Sequence, residues 1–297
     1  MKSEEFAAAI HVPTRTAAAN SSLFTLHSSL FNKKVSSLFT FFYTFALMKQ
    51  AMVFAAGLGT RLKPLTDTMP KALVEVGGKP LLWHVLTKLK QAGFERVVVN
   101  VHHFSQQIVD YIEANDHFGI DLDVSDESGM LLETGGGIKK ALPLFDSNSP
   151  ILIHNVDILS NVDLAAFYDA ACSENTDAML LVSWRDTKRY LLFDEQRMLR
   201  GWTNIETGEL KPHDVLTPTD AQQLVRLAFS GIHVLSPSVF PLFDDMPERF
   251  GIMDFYLKYC RQFRFKGKEI DGLHLIDVGK LDTLAKAEAE LAKHAST

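Results

Sequence analysis

The chain has 297 residues, 46% of them apolar and 22% charged, and a formal net charge of -6. That apolar share excludes wholesale disorder, and the acidic balance excludes a dedicated nucleic-acid surface, which needs a local excess of Lys and Arg. Two cysteines, Cys172 and Cys260, make neither a disulfide framework nor a Cys-ligated zinc site, and a reducing cytosol is their natural compartment.

Charge is not spread evenly. Residues 1–47 carry four basic side chains (Lys2, Arg15, Lys33, Lys34) against Glu4 and Glu5, a net of +2, so the remaining 250 residues carry -8. The segment is rich in Ser and Phe but has no sustained period of 2 or 3.6. Its most apolar stretch, Leu38 to Leu47, is half of the roughly 20 residues needed to cross a bilayer. It lies too far from the N-terminus, and lacks the small-x-small cleavage pattern, for a secretory signal. We therefore expect an extension over 1–47, disordered or wrongly included, ahead of a single domain over 48–297, with no membrane span.

From Met48 onward strand and helix signals alternate. Ala51–Ala56 opens as a strand, and a Gly/Thr/Pro-rich loop leads to Pro70. Pro80 opens a helix with Leu81, Leu82, Val85, Leu86 and Leu89 on one face and Gly93 as its stop. Arg96–Val101 is a continuous β-branched run, as for a strand buried on both faces. Ser105 is expected to cap a helix to about Asn115, with Phe104 and Val109 as its hydrophobic staple. Ile120–Ser125 reads as a strand, Gly135–Gly137 as the start of a short helix, Ile151–His154 as a strand, and Asp163 as the cap of a helix to Cys172. This repetition implies a parallel sheet with helices on both faces, an α/β fold. Then come a strand at Ala178–Trp184, a hairpin of Arg189–Asp194 with Met198–Thr203, a long strand at Leu227–Leu235, a helix at Asp254–Arg261, a strand at Leu275–Val278 and a final helix from Leu281. The stretch 204–226 shows no period and reads as an excursion or lid.

Chemistry concentrates after the first strand, in Ala55-Ala56-Gly57-Leu58-Gly59-Thr60-Arg61-Leu62-Lys63-Pro64-Leu65-Thr66 and then Pro70-Lys71. A glycine-rich turn there lies at the carboxyl edge of the sheet, where open α/β sheets bind ligands, and lets backbone N–H groups approach phosphate oxygens. Leu62 stands where a dinucleotide fingerprint needs its third glycine, and the Gly-Lys-Ser/Thr of a P-loop is absent. What remains is a fixed guanidinium, Arg61, and a mobile ammonium, Lys71, both suited to a polyphosphate. Asp157 and Asp277 follow apolar strands on the same edge, where hard carboxylate oxygens suit Mg²⁺ and where an Asp is also often only a helix cap or turn residue.

These residues resemble the signature of the sugar-1-phosphate nucleotidyltransferases. The likeness continues in Gly77-Gly78-Lys79-Pro80, Leu132-Glu133-Thr134-Gly135-Gly136-Gly137, Asn155-Val156-Asp157, Phe229-Ser230-Gly231-Ile232 and Ile276-Asp277-Val278-Gly279, in the family's order over 50–293. Leu-Glu-Thr-Gly-Gly-Gly-Ile is most similar to the N-acetylmuramate 1-phosphate uridylyltransferase type, with compact mannose-1-phosphate guanylyltransferases close by. The resemblance implies a Rossmann-like mixed, mostly parallel sheet flanked by helices, the nucleotide-diphospho-sugar transferase fold. The implied reaction is an NTP with a sugar 1-phosphate giving an NDP-sugar and pyrophosphate, with Mg²⁺ on Asp157 and Asp277. Arg61 would hold the β- and γ-phosphates and Lys71 those at the reacting centre. Ala55, Ala56, Gly57, Gly59 and Thr60 would meet the nucleotide, and Glu133, Thr134, Gly136, Tyr190, Asn204, Gly231 and Asp254 the sugar.

The sequence also departs from the pattern. Trp202-Thr203-Asn204 stands where many relatives have Glu-Lys-Pro, and Leu191 replaces a glycine after Arg189-Tyr190. Arg185, Lys188 and Arg189 are the nearest replacement cations, although a solvated turn is the favoured reading of them. Three alternatives to uridylyl transfer stay open: guanylyl transfer to a mannose or heptose phosphate, cytidylyl transfer to phosphocholine held by Trp184, Tyr190 and Trp202, and a silent nucleotide-sugar sensor. No zipper or β-helix pattern dictates assembly, so a monomer or homodimer is expected.

Overall fold

A computed structural model of the chain describes residues 48–214 and 216–295, so the expectation for residues 1–47 lies outside the described residues. In chain order, β1 (Gln50–Phe54) precedes a small hairpin of β2 (Glu75–Val76) and β3 (Lys79–Pro80). Next come α1 (Leu81–Gln91), β4 (Arg96–Val101), α2 (Ser105–Ala114), β5 (Asp121–Asp126), α3 (Glu133–Ala141), β6 (Ile151–Asn155), β7 (Ile158–Ser160) and α4 (Leu164–Ser173). The second half runs through β8 (Ala178–Ser183), β9 (Arg189–Phe193), β10 (Leu199–Asn204), β11 (Glu209–Lys211), α5 (Pro218–Gln222) and β12 (Val225–Leu235). It closes with α6 (Ile252–Tyr259), β13 (Phe265–Lys268), β14 (Leu275–Asp277) and α7 (Leu281–Ala295).

The main sheet has the order β11-β10-β9-β12-β6-β1-β4-β5, with β8 pairing β12 and β13. β1 runs parallel to β4 on one side and to β6 on the other, and β4 is parallel to β5. The chain therefore reverses its direction of winding at β1, and a crevice opens beyond the carboxyl end of that strand, the place where such sheets take ligands. β12 returns antiparallel to β6, which makes the sheet mixed.

Strand residues alternate between two cores because successive side chains point to opposite faces. Ala51, Val53, Val97, Val99 and Leu152 pack with α1, α2 and α4, whereas Met52, Val98, Ile151 and Ile153 pack with α3 and α6. Burial on both faces explains why β4 reads as an unbroken apolar run. In α1 the five apolar residues expected on one face are all buried, with Pro80 at its N-cap and Gly93 just past its end at φ 80°.

Some local expectations change. Phe104, not Ser105, occupies the N-cap of α2, in the left-handed region at φ 55°. Ser105 is already helical and its hydroxyl accepts from Ser128 Oγ at 3.1 Å, while Phe104 packs its ring on His103. Asp163 does cap α4, accepting from Ala166 N at 2.9 Å. The 204–226 stretch is built onto the hairpin: β11 adds a third strand to β10, and α5, closed by a Thr217–Asp220 capping box, buries Ala221 with Leu192 and Leu216. Strands β7 and β13 are additions that the sequence pattern does not announce.

Candidate active site

The chain leaves β1 at Phe54, and the path beyond it is organised by one side chain. Asn100, from the parallel neighbour β4, accepts from the Ala55 and Ala56 amides at 2.8 and 3.3 Å and donates to Glu127 Oε1 at 2.7 Å. Glu127 Oε2 accepts from Leu132 N at 3.1 Å, and His102 Nδ1 bonds the Glu127 carbonyl at 2.7 Å. Both Asn100 and Glu127 are 1% exposed. Buried polar groups of this kind persist only when paired, so the Asn100–Glu127 pair ties the end of β1 to the segment before α3. Sequence reasoning missed Asn100. Its signal was a carboxamide inside a β-branched strand buried on both faces.

The glycine turn closes over this platform. Gly59 sits at φ +62°, and a Cβ there would stand 2.8 Å from Thr66 Cγ2 and 3.0 Å from Lys71 Cβ, so only glycine lets the turn approach so closely. Thr66 Oγ1 donates to Gly59 O at 2.9 Å, whereas Gly57 has open space around it. A cavity of about 410 Å³ lies beneath, lined among others by Ala55, Ala56, Gly57, Asn100, Thr134 and Asp157.

The two aspartates, 120 positions apart in the chain, are brought together by β7 and β14. Those strands pair antiparallel with Asp277 opposite Ile158, and Val278 N donates to Asp157 O at 2.8 Å. Lys71, 8% exposed, donates its ammonium to Asp157 Oδ2. Asp277 Oδ1 is buried without a hydrogen-bond partner. Burial, and then the charge of Asp157, raises the Asp277 pKa, while Lys71, Arg61 and Arg185 oppose the shift. Gly279 separates Asp277 from Arg61: a Cβ there would be 2.7 Å from Asp277 Oδ1 and 3.0 Å from Arg61 Nη2. Two carboxylates, one with an unsatisfied buried oxygen, form a donor set that fits Mg²⁺, which takes one or two carboxylates and keeps several waters.

The residues read as sugar contacts fall into two groups. Glu133, at φ +63°, lines the cavity and accepts from Arg249 Nε at 3.1 Å; Thr134 Oγ1 accepts from Ile252 N at 2.9 Å. Asp254 Oδ2 accepts from Gly251 N at 3.2 Å, which places it beside Glu133 across Gly251. Gly136 donates its N–H to Phe250 O at 3.1 Å and is buried against that loop. Gly231, at φ +75°, lies against the Asn155 carboxamide at the cavity wall. Tyr190 and Asn204 stand apart on the β9–β10 hairpin: the Tyr190 hydroxyl accepts from Thr187 N at 3.1 Å, and Asn204 Oδ1 from Glu206 N at 3.0 Å.

Three aromatic rings offered for a quaternary ammonium also go separate ways. Trp184 Nε1 donates to Glu269, Trp202 lies under the Lys211 ammonium at 5.3 Å, and Tyr190 holds Thr187. Arg185, Lys188 and Arg189, all exposed, line a second cleft with Arg61 and Asp277.

Comparison with known proteins bears on the family and the fold. The nucleotidyl transferase family model matches residues 50–294. The chain is 34% identical over 253 residues to an N-acetylmuramate alpha-1-phosphate uridylyltransferase of Caulobacter vibrioides, covering 82% of this chain and 98% of that protein. It is 45% identical over 125 residues to the protein of the same name from Neisseria meningitidis, covering 42% and 53%. Among solved structures, HddC from Yersinia pseudotuberculosis complexed with GMP-PN superposes with a TM-score of 0.64 at 22% identity, covering 82% of this chain and all of that one, and so shares the fold. By the extent of the family match and the near full-length similarity to the Caulobacter enzyme, the chain belongs to the nucleotidyl transferase family, among the sugar-1-phosphate nucleotidyltransferases.

Proposed function

We propose that the protein transfers a uridylyl group from UTP to N-acetylmuramate 1-phosphate, with Mg²⁺, releasing pyrophosphate. The observation that carries the reading is the β7–β14 register, which sets Asp157 and Asp277 side by side where the glycine turn, Lys71 and Arg61 converge. The choice of base and sugar is supported by the names of the Caulobacter and Neisseria relatives.

In the reaction an oxygen of the sugar phosphate attacks the α-phosphorus of the NTP. The bond from that phosphorus to the bridging oxygen breaks, and pyrophosphate leaves with the electron pair. Two anions meet and a third departs, so the protein's task is positioning and charge neutralisation, with no covalent intermediate required. The Ala55 and Ala56 amides are held by Asn100, which fixes the start of the turn whose later backbone N–H groups would meet the phosphates. Lys71 lies against Asp157, where it would meet the reacting phosphate, and Arg61, beside Gly279, would face the phosphates beyond it. Asp157 and Asp277 would hold Mg²⁺, which when bound offsets phosphate charge. Glu133 and Asp254, both carboxylates, suit the hydroxyls of the sugar.

A matrix of the four NTPs against sugar 1-phosphates and phosphocholine, read as pyrophosphate released, tests this. The highest kcat/KM is expected for UTP with N-acetylmuramate 1-phosphate. Preference for GTP with a mannose or heptose phosphate would overturn the substrate assignment, and binding of nucleotide sugars without release from any pair would overturn catalysis.

A further inference from the structure

Two clefts meet at the carboxylate pair. Asp157 lines the cavity beneath the glycine turn, and Asp277 lines a second cleft of about 760 Å³. The second cleft is rich in cations. Arg61 reaches it past Gly279, and Arg185, Arg189 and Lys280 join it; Lys188 also lines it but pairs with Glu206. Asp186 and Asp282 are its other acidic residues. Arg185 is the cation held most firmly there. Its Nη2 donates to Phe229 O at 2.9 Å, and the turn that carries it is fixed by the bond from Thr187 N to the Tyr190 hydroxyl. The Arg185 charge also reaches Asp277, as that of Arg61 does.

The chemistry decides which phosphate belongs here. Arg61 is part of the glycine turn, so the phosphates of an NTP that extend past the reacting one run toward Arg61 and into this cleft. They become the leaving group, and negative charge grows on them as the bridging bond breaks. The opposite side holds Glu133, paired with Arg249, and Asp254, carboxylates that suit hydroxyls. A guanidinium fixed on a backbone carbonyl loses little entropy on meeting a polyphosphate, and its fork matches phosphate oxygens. We infer that Arg185, with Lys280 on the same cleft, completes a binding site for the β- and γ-phosphates and for the pyrophosphate that departs. This assignment rests on the proposed nucleotidyl-transfer function and adds to Arg61 two residues from distant parts of the chain.

The test is titration calorimetry of inorganic pyrophosphate against the full chain in magnesium buffer, repeated with the sugar 1-phosphate. Arg185→Met should weaken pyrophosphate by about tenfold or more, the scale of a lost charge-assisted pair. Arg185→Lys should recover part of that, and sugar 1-phosphate affinity should stay within about twofold in both. The KM for pyrophosphate in the reverse reaction should rise in parallel, with the KM for the NDP-sugar unchanged. Lys280→Met, on an exposed side chain, repeats the measurement should the Arg185 variant disturb folding. Unchanged pyrophosphate affinity in both Met variants, or a loss confined to the sugar phosphate, would overturn the assignment. Absence of turnover by the wild type with every substrate pair would instead sink the functional reading, and the binding arm would still decide the site.

Discussion

A single carboxamide in the middle of a β-branched strand, Asn100 gives its oxygen to two backbone amides and its nitrogen to a buried carboxylate. Asn100→Ala strips partners from Ala55 N, Ala56 N and Glu127 together, and unpaired buried groups cost roughly 1–3 kcal/mol each. We expect a loss on the order of 3 kcal/mol in urea unfolding and a raised KM for the NTP with that for the sugar phosphate unchanged; stability within about 0.5 kcal/mol of wild type would contradict the bracing role. Arg61, Lys71, Asp157 and Asp277 were singled out in the sequence by residue type and motif order, and the fold brings the four to one place. Asn100 was not, since a buried polar residue looks the same in sequence whether it braces the core or a ligand pocket. Buried histidines set the acid response. Burial pulls His233 down to about 3 and His154 to about 4, so the folded state keeps both neutral while the unfolded chain protonates them near the usual 6.5. Their contribution is complete above pH 6.5 and is lost as pH falls toward 3–4, at up to roughly 1.4 kcal/mol per pH unit for each histidine. Urea unfolding between pH 5 and 6.5 should show this slope, and His233→Gln should lower it by about one proton; an identical slope in the variant would refute it.

At the scale of elements, helix α3 is positioned by its glycines. A Cβ on Gly136 would lie 2.3 Å from the Glu248 carbonyl oxygen, a backbone atom that cannot swing aside, whereas Gly57 has nothing within 4 Å. Gly136→Ala should therefore cost about 1–3 kcal/mol, the usual range for overpacking, and disturb Glu133 and Thr134 at the start of the same helix. Gly57→Ala should leave thermal unfolding unchanged, and equal destabilisation by the two would disprove the docking of α3 on the 248–250 loop. Helix α1, strand β4 and the β9–β10 hairpin could be read from sequence, because each spans enough residues to show its period or its turn chemistry. The pairing that unites the two aspartates could not. Leu275–Asp277 lies within an expected strand, but its partner Ile158–Ser160 is three residues long, too short for an alternation to appear, and only the tertiary fold supplies their register. Similarly, 204–226 has no period because its short strand and helix are ordered by packing on the hairpin.

For the molecule as a whole, the formal charge of -6 says little about phosphate binding, because the cations that matter are gathered at one place. Arg61 and Lys71 flank the carboxylate pair, and Arg185, Arg189 and Lys280 line the cleft beyond it. That concentration follows from topology. Reversal of winding at β1 opens the crevice, the glycine turn covers it, and the β7–β14 pair delivers the second aspartate to its edge. The α/β class was legible from the alternation of elements, while the antiparallel return of β12 and the attachment of β13 required the structure. The central claim is that Asp157 and Asp277 act together in phosphoryl transfer without being needed for folding. The most direct test is pyrophosphate release from UTP and N-acetylmuramate 1-phosphate by the wild type, Asp157→Asn and Asp277→Asn, with thermal unfolding measured on each. Both variants should lose about 10²–10³ in kcat. Asp277→Asn should unfold no earlier than wild type, because burial and the neighbouring carboxylate disfavour its charge. Turnover within about twofold of wild type by either variant would contradict the account.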